Sequence, residues 1–129
     1  MDAKIYRCKQ CGNMVVMIKD SGMPLSCCGE EMELLIANTV DAAVEKHVPV
    51  CCKEGCTVHV NVGEEDHPMG DKHSIEWVCL LTDQGSQCRW LRPGCAPKVC
   101  FKLCKHEKPL AVYAYCNIHG LWKCECKEK

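Results

Sequence analysis

Apolar residues recur at every second position through much of this chain. Val58, Val60 and Val62 share one face of a segment, Ile75, Trp77 and Cys79 of another, and Val99, Phe101 and Leu103 of a third, before an almost unbroken apolar run from Leu110 to Tyr115. A period of two is the repeat of a β-strand, whose successive side chains point to opposite faces. Gly63, Gly70, Asp83-Gln84-Gly85 and Arg92-Pro93-Gly94 separate these runs with turn formers. Short strands punctuated in this way predict an antiparallel β-sandwich over residues 44–129, ending in a polar tail from Lys123. Residues 37–43 show no periodicity and read as a linker. Before them, residues 1–36 hold one short strand, Met14 to Ile18, followed by a turn at Lys19-Asp20-Ser21-Gly22.

So short a first segment cannot bury enough apolar surface to offset the entropy of its own ordering, unless something other than a core holds it together. Its cysteines supply the candidate. Cys8-x-x-Cys11 and the adjacent pair Cys27-Cys28 provide four thiolates, enough to enclose a tetrahedral iron or zinc ion, so that metal binding becomes part of the folding free energy. Two neighbouring residues cannot both take the relaxed geometry of a C-x-x-C knuckle, and distorted angles are expected at this pair.

Fifteen cysteines in 129 residues would fit a secreted disulfide scaffold. The N-terminal residues, however, contain no apolar h-region and no small-residue cleavage site, and the cysteine count is odd. Thiolates ligating metal in a reducing cytoplasm fit better. No apolar run approaches the ~20 residues that span a bilayer, and a net charge of -1 without a basic block gives no footprint for nucleic acid.

A second ligand set lies further on. His47, His67, His73, Cys116 and His119 all sit in short segments rich in proline, glycine or polar residues, namely Glu45-Lys46-His47-Val48-Pro49, His67-Pro68-Met69 through His73, and Cys116-Asn117-Ile118-His119-Gly120. Four imidazoles and a thiolate exceed what a closed structural zinc site uses and suit a redox iron with one position open. A blue-copper site wants fewer histidines and usually an axial methionine, and none follows Cys116. His59, between Val58 and Val60, should point away from the apolar face, and His106 reads as a surface residue.

In this order, behind that N-terminal cluster, these motifs with Ile75-Glu76-Trp77 and Gly120-Leu121-Trp122 resemble the two-iron superoxide reductases, the desulfoferrodoxins, over nearly the whole chain. The resemblance implies an all-β architecture, with a small desulforedoxin-like module followed by an immunoglobulin-like antiparallel β-sandwich. It implies His47, His67, His73 and His119 around a catalytic iron with Cys116 axial, and iron, or zinc, on Cys8, Cys11, Cys27 and Cys28. Glu45 would be the sixth ligand of the ferric state, and Lys46 would steer the anion and assist protonation. Superoxide is then the substrate, rubredoxin or a similar small carrier the electron donor, and a cytoplasmic homodimer the working form. A zinc-binding structural or redox-sensing protein without turnover is the competing reading. Ten cysteines remain outside both sets: Cys51, Cys52, Cys56, Cys79, Cys88, Cys95, Cys100, Cys104, Cys124 and Cys126. Among them Cys95, Cys100 and Cys104 could join His106 in a third metal site, although free thiols also serve as small apolar residues.

Overall fold

A computed structural model describes residues 2–126. The end of the expected polar tail, residues 127–129, lies outside them. The chain divides into two compact units, Met1–Ile36 and Ala37–Lys129.

In the first unit β1 (Ile5–Arg7) lies between β2 (Met14–Val16) and β5 (Glu33–Leu34), all antiparallel, and β3 (Ser26–Cys27) pairs with β4 (Glu30–Glu31). Its buried hydrophobic residues, among those described, are only Ile5, Cys8 and Met32. The strand expected through Ile18 stops at Val16. Ile18 is fully exposed, so extending the strand would bury nothing. Beyond it the Asp20 carboxylate accepts the Gly22 N–H at 2.8 Å and closes the expected turn.

The second unit opens with a four-residue helix, α1 (Val44–His47), where the hydrophobic pattern gives only a loop. Seven strands follow: β6 (Pro49–Glu54), β7 (Thr57–Val62), β8 (Ile75–Thr82), β9 (Gly85–Trp90), β10 (Lys98–Lys102), β11 (Pro109–Cys116) and β12 (Gly120–Glu125). They form two antiparallel sheets, ordered β10-β7-β6 and β12-β11-β8-β9. Val58, Val60, Val62 and Phe101 from the first meet Val78, Leu80, Val112 and Ala114 from the second in one core.

Two expectations need correction. Trp77 and Cys79 share a face, but Ile75 does not share it with them: a register shift between Tyr115 and Cys116 pairs Ile75 with Cys116 but Trp77 with Tyr115, leaving Glu76 over. The extra residue reverses the alternation. Ile75, Val78 and Leu80 therefore enter the core, and Trp77 stacks on Tyr115 at 5.7 Å on the other face. The polar tail also begins later than expected, because Lys123 to Glu125 continue β12 against β11 behind the buried Leu121 and Trp122.

Candidate metal centres

In the first unit the four sulfurs of Cys8, Cys11, Cys27 and Cys28 lie within 4.8 Å of one another. Cys11 Sγ is 3.7 Å from Cys27 Sγ, which is 3.9 Å from Cys28 Sγ. Thiolates bound at ~2.3 Å in a tetrahedron stand ~3.8 Å apart, so these edges already have the required length. The adjacent cysteines both turn inward because Cys28 takes a left-handed backbone, φ 53°, followed by Gly29 at φ 76°. Backbone N–H groups, that of Cys11 foremost, draw the pKa of the Cys8 thiol down to about 6, whereas hydrogen bonding to the neighbouring thiols, Cys11 foremost, pushes that of Cys28 up to about 12. Four thiols this close cannot all ionise without a cation among them.

In the second unit α1 brings in His47, the loop after β7 His67, the approach to β8 His73, and the β11–β12 turn Cys116 and His119. His47, His67, His73 and Cys116 offer ligand atoms within 4.8 Å of one another, and His119 joins them with Nδ1 3.0 Å from His47 Nε2. Around the group, neighbouring rings His47–His67, His67–His73, His73–His119 and His119–His47 have centroids 4.6, 4.7, 5.2 and 4.8 Å apart, each pair edge-on. His47 and His73 are 6.3 Å apart and closer to parallel, at 31°. These are the sides and a diagonal of a square. Cys116, fully buried, has Sγ 3.9 Å from His119 Nδ1 and accepts the His119 backbone N–H at 3.4 Å.

Hydrogen bonding fixes how the rings are used. His47 Nδ1–H donates to the Ala43 carbonyl at 2.6 Å and His67 Nδ1–H to the Pro68 carbonyl at 2.7 Å. Burial pushes the pKa of His47, His67 and His73 down, that of His67 to about 4. The rings are therefore neutral at pH 7, and the lone pairs of His47 Nε2 and His67 Nε2 face each other at 3.1 Å. Facing lone pairs repel unless a cation lies between them. Nitrogens held ~2.1 Å from one ion at right angles stand ~3.0 Å apart, which matches this edge and the one from His47 to His119. His73 Nε2 is buried with no hydrogen-bond partner among the described residues, as expected of a third lone pair reserved for the same ion. The donor set fits a divalent transition metal.

Other residues hold this group in place. Asn117 Oδ1 accepts the Ser74 N–H and its Nδ2 donates to the Lys72 carbonyl, both at 3.0 Å, tying the His73 segment to the Cys116–His119 turn. Buried Trp122 lies 4.8 Å from the His47 ring. In the sequence Asn117 and Trp122 stand out only as members of motifs, with no task of their own, and nothing there points to the Ala43 and Pro68 carbonyls, which no side chain announces. Glu45 is exposed and Lys46 half-buried on α1, beside His47.

His59 and His106 are exposed, as expected. The possible third site of Cys95, Cys100, Cys104 and His106 does not assemble. Cys100 points outward to His59, at 3.2 Å, and the four residues form no ligand group among the described residues.

The profile described as Desulfoferrodoxin matches residues 39–125, and that described as Desulfoferrodoxin, N-terminal domain, matches residues 2–35. The chain is 45% identical to the desulfoferrodoxin of Syntrophotalea carbinolica over 122 residues, 95% of either chain. It is 36% identical to the superoxide reductase of Thermococcus kodakarensis over 98 residues, covering 63% of this chain and 85% of that one. Among solved structures, the superoxide reductase from Treponema pallidum superposes with a TM-score of 0.82 at 35% identity, covering 97% of this chain and 100% of that one. With both profiles matched in order and such relatives aligned along nearly their full length, the chain belongs to the desulfoferrodoxin family.

Proposed function

We propose that the protein is a superoxide reductase: it gives one electron to superoxide, which takes up two protons and leaves as hydrogen peroxide, with no dioxygen released. The carrying observation is the square of four imidazoles beside a buried thiolate, a donor set larger than a closed zinc site uses. His47, His67, His73, His119 and Cys116 would hold an iron ion, which would supply a ferrous–ferric couple for the one-electron transfer. Because the imidazoles are neutral and only Cys116 brings a negative charge, the residues would leave a bound divalent ion net positive, which would favour an anionic substrate. The Ala43 and Pro68 carbonyls keep the Nε2 atoms of His47 and His67 deprotonated and aimed inward. Lys46 adds positive potential at the approach and orders water that delivers protons. Glu45, on the same turn, is the carboxylate that compensates the extra charge of the ferric state.

Cys8, Cys11, Cys27 and Cys28 close around a tetrahedral ion and leave no position for substrate, so the N-terminal module, residues 1–36, serves as an electron relay or a structural element. Its ion is iron, with zinc the alternative. Residues 44–129 carry the reaction. On family grounds we take the electron donor to be a small carrier of the rubredoxin kind and the working form to be a cytoplasmic homodimer. No helix among the described residues is long and apolar enough to cross a membrane.

Anaerobic expression in iron-replete medium tests the reading. Coloured protein with iron at both centres should, once reduced, consume a radiolytic pulse of superoxide and yield peroxide without dioxygen. Colourless, zinc-filled protein, or evolution of dioxygen, would overturn it.

A further inference from the structure

The second unit holds another sulfur group, for which reduction of superoxide has no use. Cys51 on β6 and Cys124 on β12 pack against the core from edge strands of the two sheets, and Cys126 follows just after β12. Cys51 Sγ is 3.2 Å from Cys126 Sγ and 4.0 Å from Cys124 Sγ. Unbonded heavy atoms normally stand ~3.5–4.0 Å apart, so the Cys126 sulfur already stands inside that distance from Cys51 and the Cys124 sulfur at its outer edge.

Access is built in. Cys51 borders two cavities. One, of about 540 Å³, runs from Glu45 and Val48 to Cys124, starting at the helix that carries His47. The other, of about 580 Å³, includes Cys126, Lys53, His106 and Lys108. Cys51 is four positions along the chain from His47, a reach of at most ~14 Å of extended chain. Hydrogen bonds from Cys124 and then Cys126 hold the Cys51 thiol far below its ordinary range, and the same contacts raise Cys124 and Cys126. One thiolate beside two protonated thiols is the division that a nucleophile and its resolving partner need.

From this arrangement we propose that Cys51 is the attacking residue of a peroxide-reducing thiol centre, resolved by Cys126 or Cys124, that destroys peroxide released at the histidine centre. The source of the peroxide rests on the superoxide reductase reading; the thiol chemistry does not. The Cys51 thiolate attacks one oxygen of hydrogen peroxide, the O–O bond breaks, and hydroxide leaves and is protonated to water. Sulfur is thereby oxidised to a sulfenic acid. The resolving sulfur, as its thiolate, attacks Cys51 Sγ, the S–O bond breaks as S–S forms, and the second hydroxide takes up the resolving thiol's proton. Two thiols and one peroxide become one disulfide and two waters, and a dithiol reductant restores the pair.

The test uses ferric holoprotein with its thiols reduced, mixed with hydrogen peroxide. Thiols are counted and disulfides mapped by mass spectrometry. A disulfide from Cys51 to Cys126 or Cys124 should form, and Cys51→Ser should consume peroxide about tenfold more slowly or worse, while its rate with pulsed superoxide stays unchanged. The Cys124→Ser/Cys126→Ser double variant should stop at a sulfenic acid on Cys51, trapped by dimedone. Alkylation at mildly acidic pH, which reaches the thiolate first, gives the same readout without a substitution. The cross-strand pair Cys79 and Cys88, with sulfurs 2.7 Å apart, is the internal comparison. Undiminished peroxide consumption in Cys51→Ser and in the alkylated protein, or a disulfide confined to Cys79 and Cys88, overturns the proposal. Because peroxide is added as a reagent, failure of superoxide reduction in the pulse assay would count against the iron reading alone.

Discussion

Gly63 lies behind the turn that carries Glu45, Lys46 and His47, and replacing it with alanine should damage the histidine centre from outside. A Cβ there would stand 2.7 Å from the Glu45 carbonyl oxygen, 2.9 Å from that of Val48 and 3.0 Å from the Lys46 carbonyl carbon. All three are backbone atoms, so no side chain can rotate away. Restoring ordinary contact at ~3.5 Å requires the turn to retreat by about 0.5–0.8 Å. That shift strains the 2.9 Å bond from the Glu65 N–H to the Glu45 carbonyl. Overpacking of this kind costs about 1–3 kcal/mol. At ~2 kcal/mol, a unit of this size should melt roughly 8–16 °C lower. The displacement also reaches the metal, because His47 Nε2 must keep its 3.0 and 3.1 Å edges to His119 and His67, and such centres tolerate only ~0.5 Å. Calorimetry should therefore show the lower transition in Gly63→Ala. Metal analysis with optical spectra should show iron lost from the histidine centre and kept at the cysteine centre. A melting temperature within about 2 °C of the unaltered protein, with both centres full, would refute the argument that this glycine is required by its neighbours.

Three further outcomes follow from the placement of single residues. Lys46→Ala should lower the second-order rate with superoxide and flatten its dependence on ionic strength, at unchanged iron content, as read by pulse radiolysis at several salt concentrations. Glu45→Ala should leave that first encounter nearly intact and shift the absorption of the ferric product; an identical spectrum would remove the carboxylate as a ligand. Cys28→Ser should disturb or empty the four-cysteine centre while pre-reduced protein still turns over superoxide once, and loss of that turnover with the histidine iron in place would show the N-terminal ion to be required for the chemistry itself.

The sandwich is readable from the sequence wherever one face of a strand is buried and the other wet. Val58, Val60 and Val62 are buried and His59 between them is exposed, as alternation requires. The pattern misleads on β8, where nearly every residue after Trp77 is buried on both faces and a single extra residue, Glu76, reverses the phase. A pattern of apolar residues carries no phase when all positions are apolar, and a bulge is visible only in the partner strand. Lys123 to Glu125 mislead for a related reason. Their side chains are those of a solvated tail, but Leu121 and Trp122 anchor the strand and β11 supplies its hydrogen bonds.

Legibility of the metal centres follows the chemistry of the donors. Thiols and imidazoles are scarce, and their clustering in short polar segments makes Cys8, Cys11, Cys27, Cys28 and the five residues of the second group stand out in the sequence alone. What clustering cannot convey is which nitrogen of each ring faces the ion. That choice is made by main-chain carbonyls: Ala43 and Pro68 each take an Nδ1–H, leaving Nε2 of His47 and His67 as lone pairs. His119 instead presents Nδ1 to the centre from a turn whose own N–H bonds to Cys116 Sγ. A carbonyl is present at every residue, so its position carries no signature in the sequence and depends entirely on the path of the backbone. Gly63 belongs to the same category, since its missing Cβ is what lets the loop after β7 lie against the α1 backbone close enough for His67 and His47 to meet.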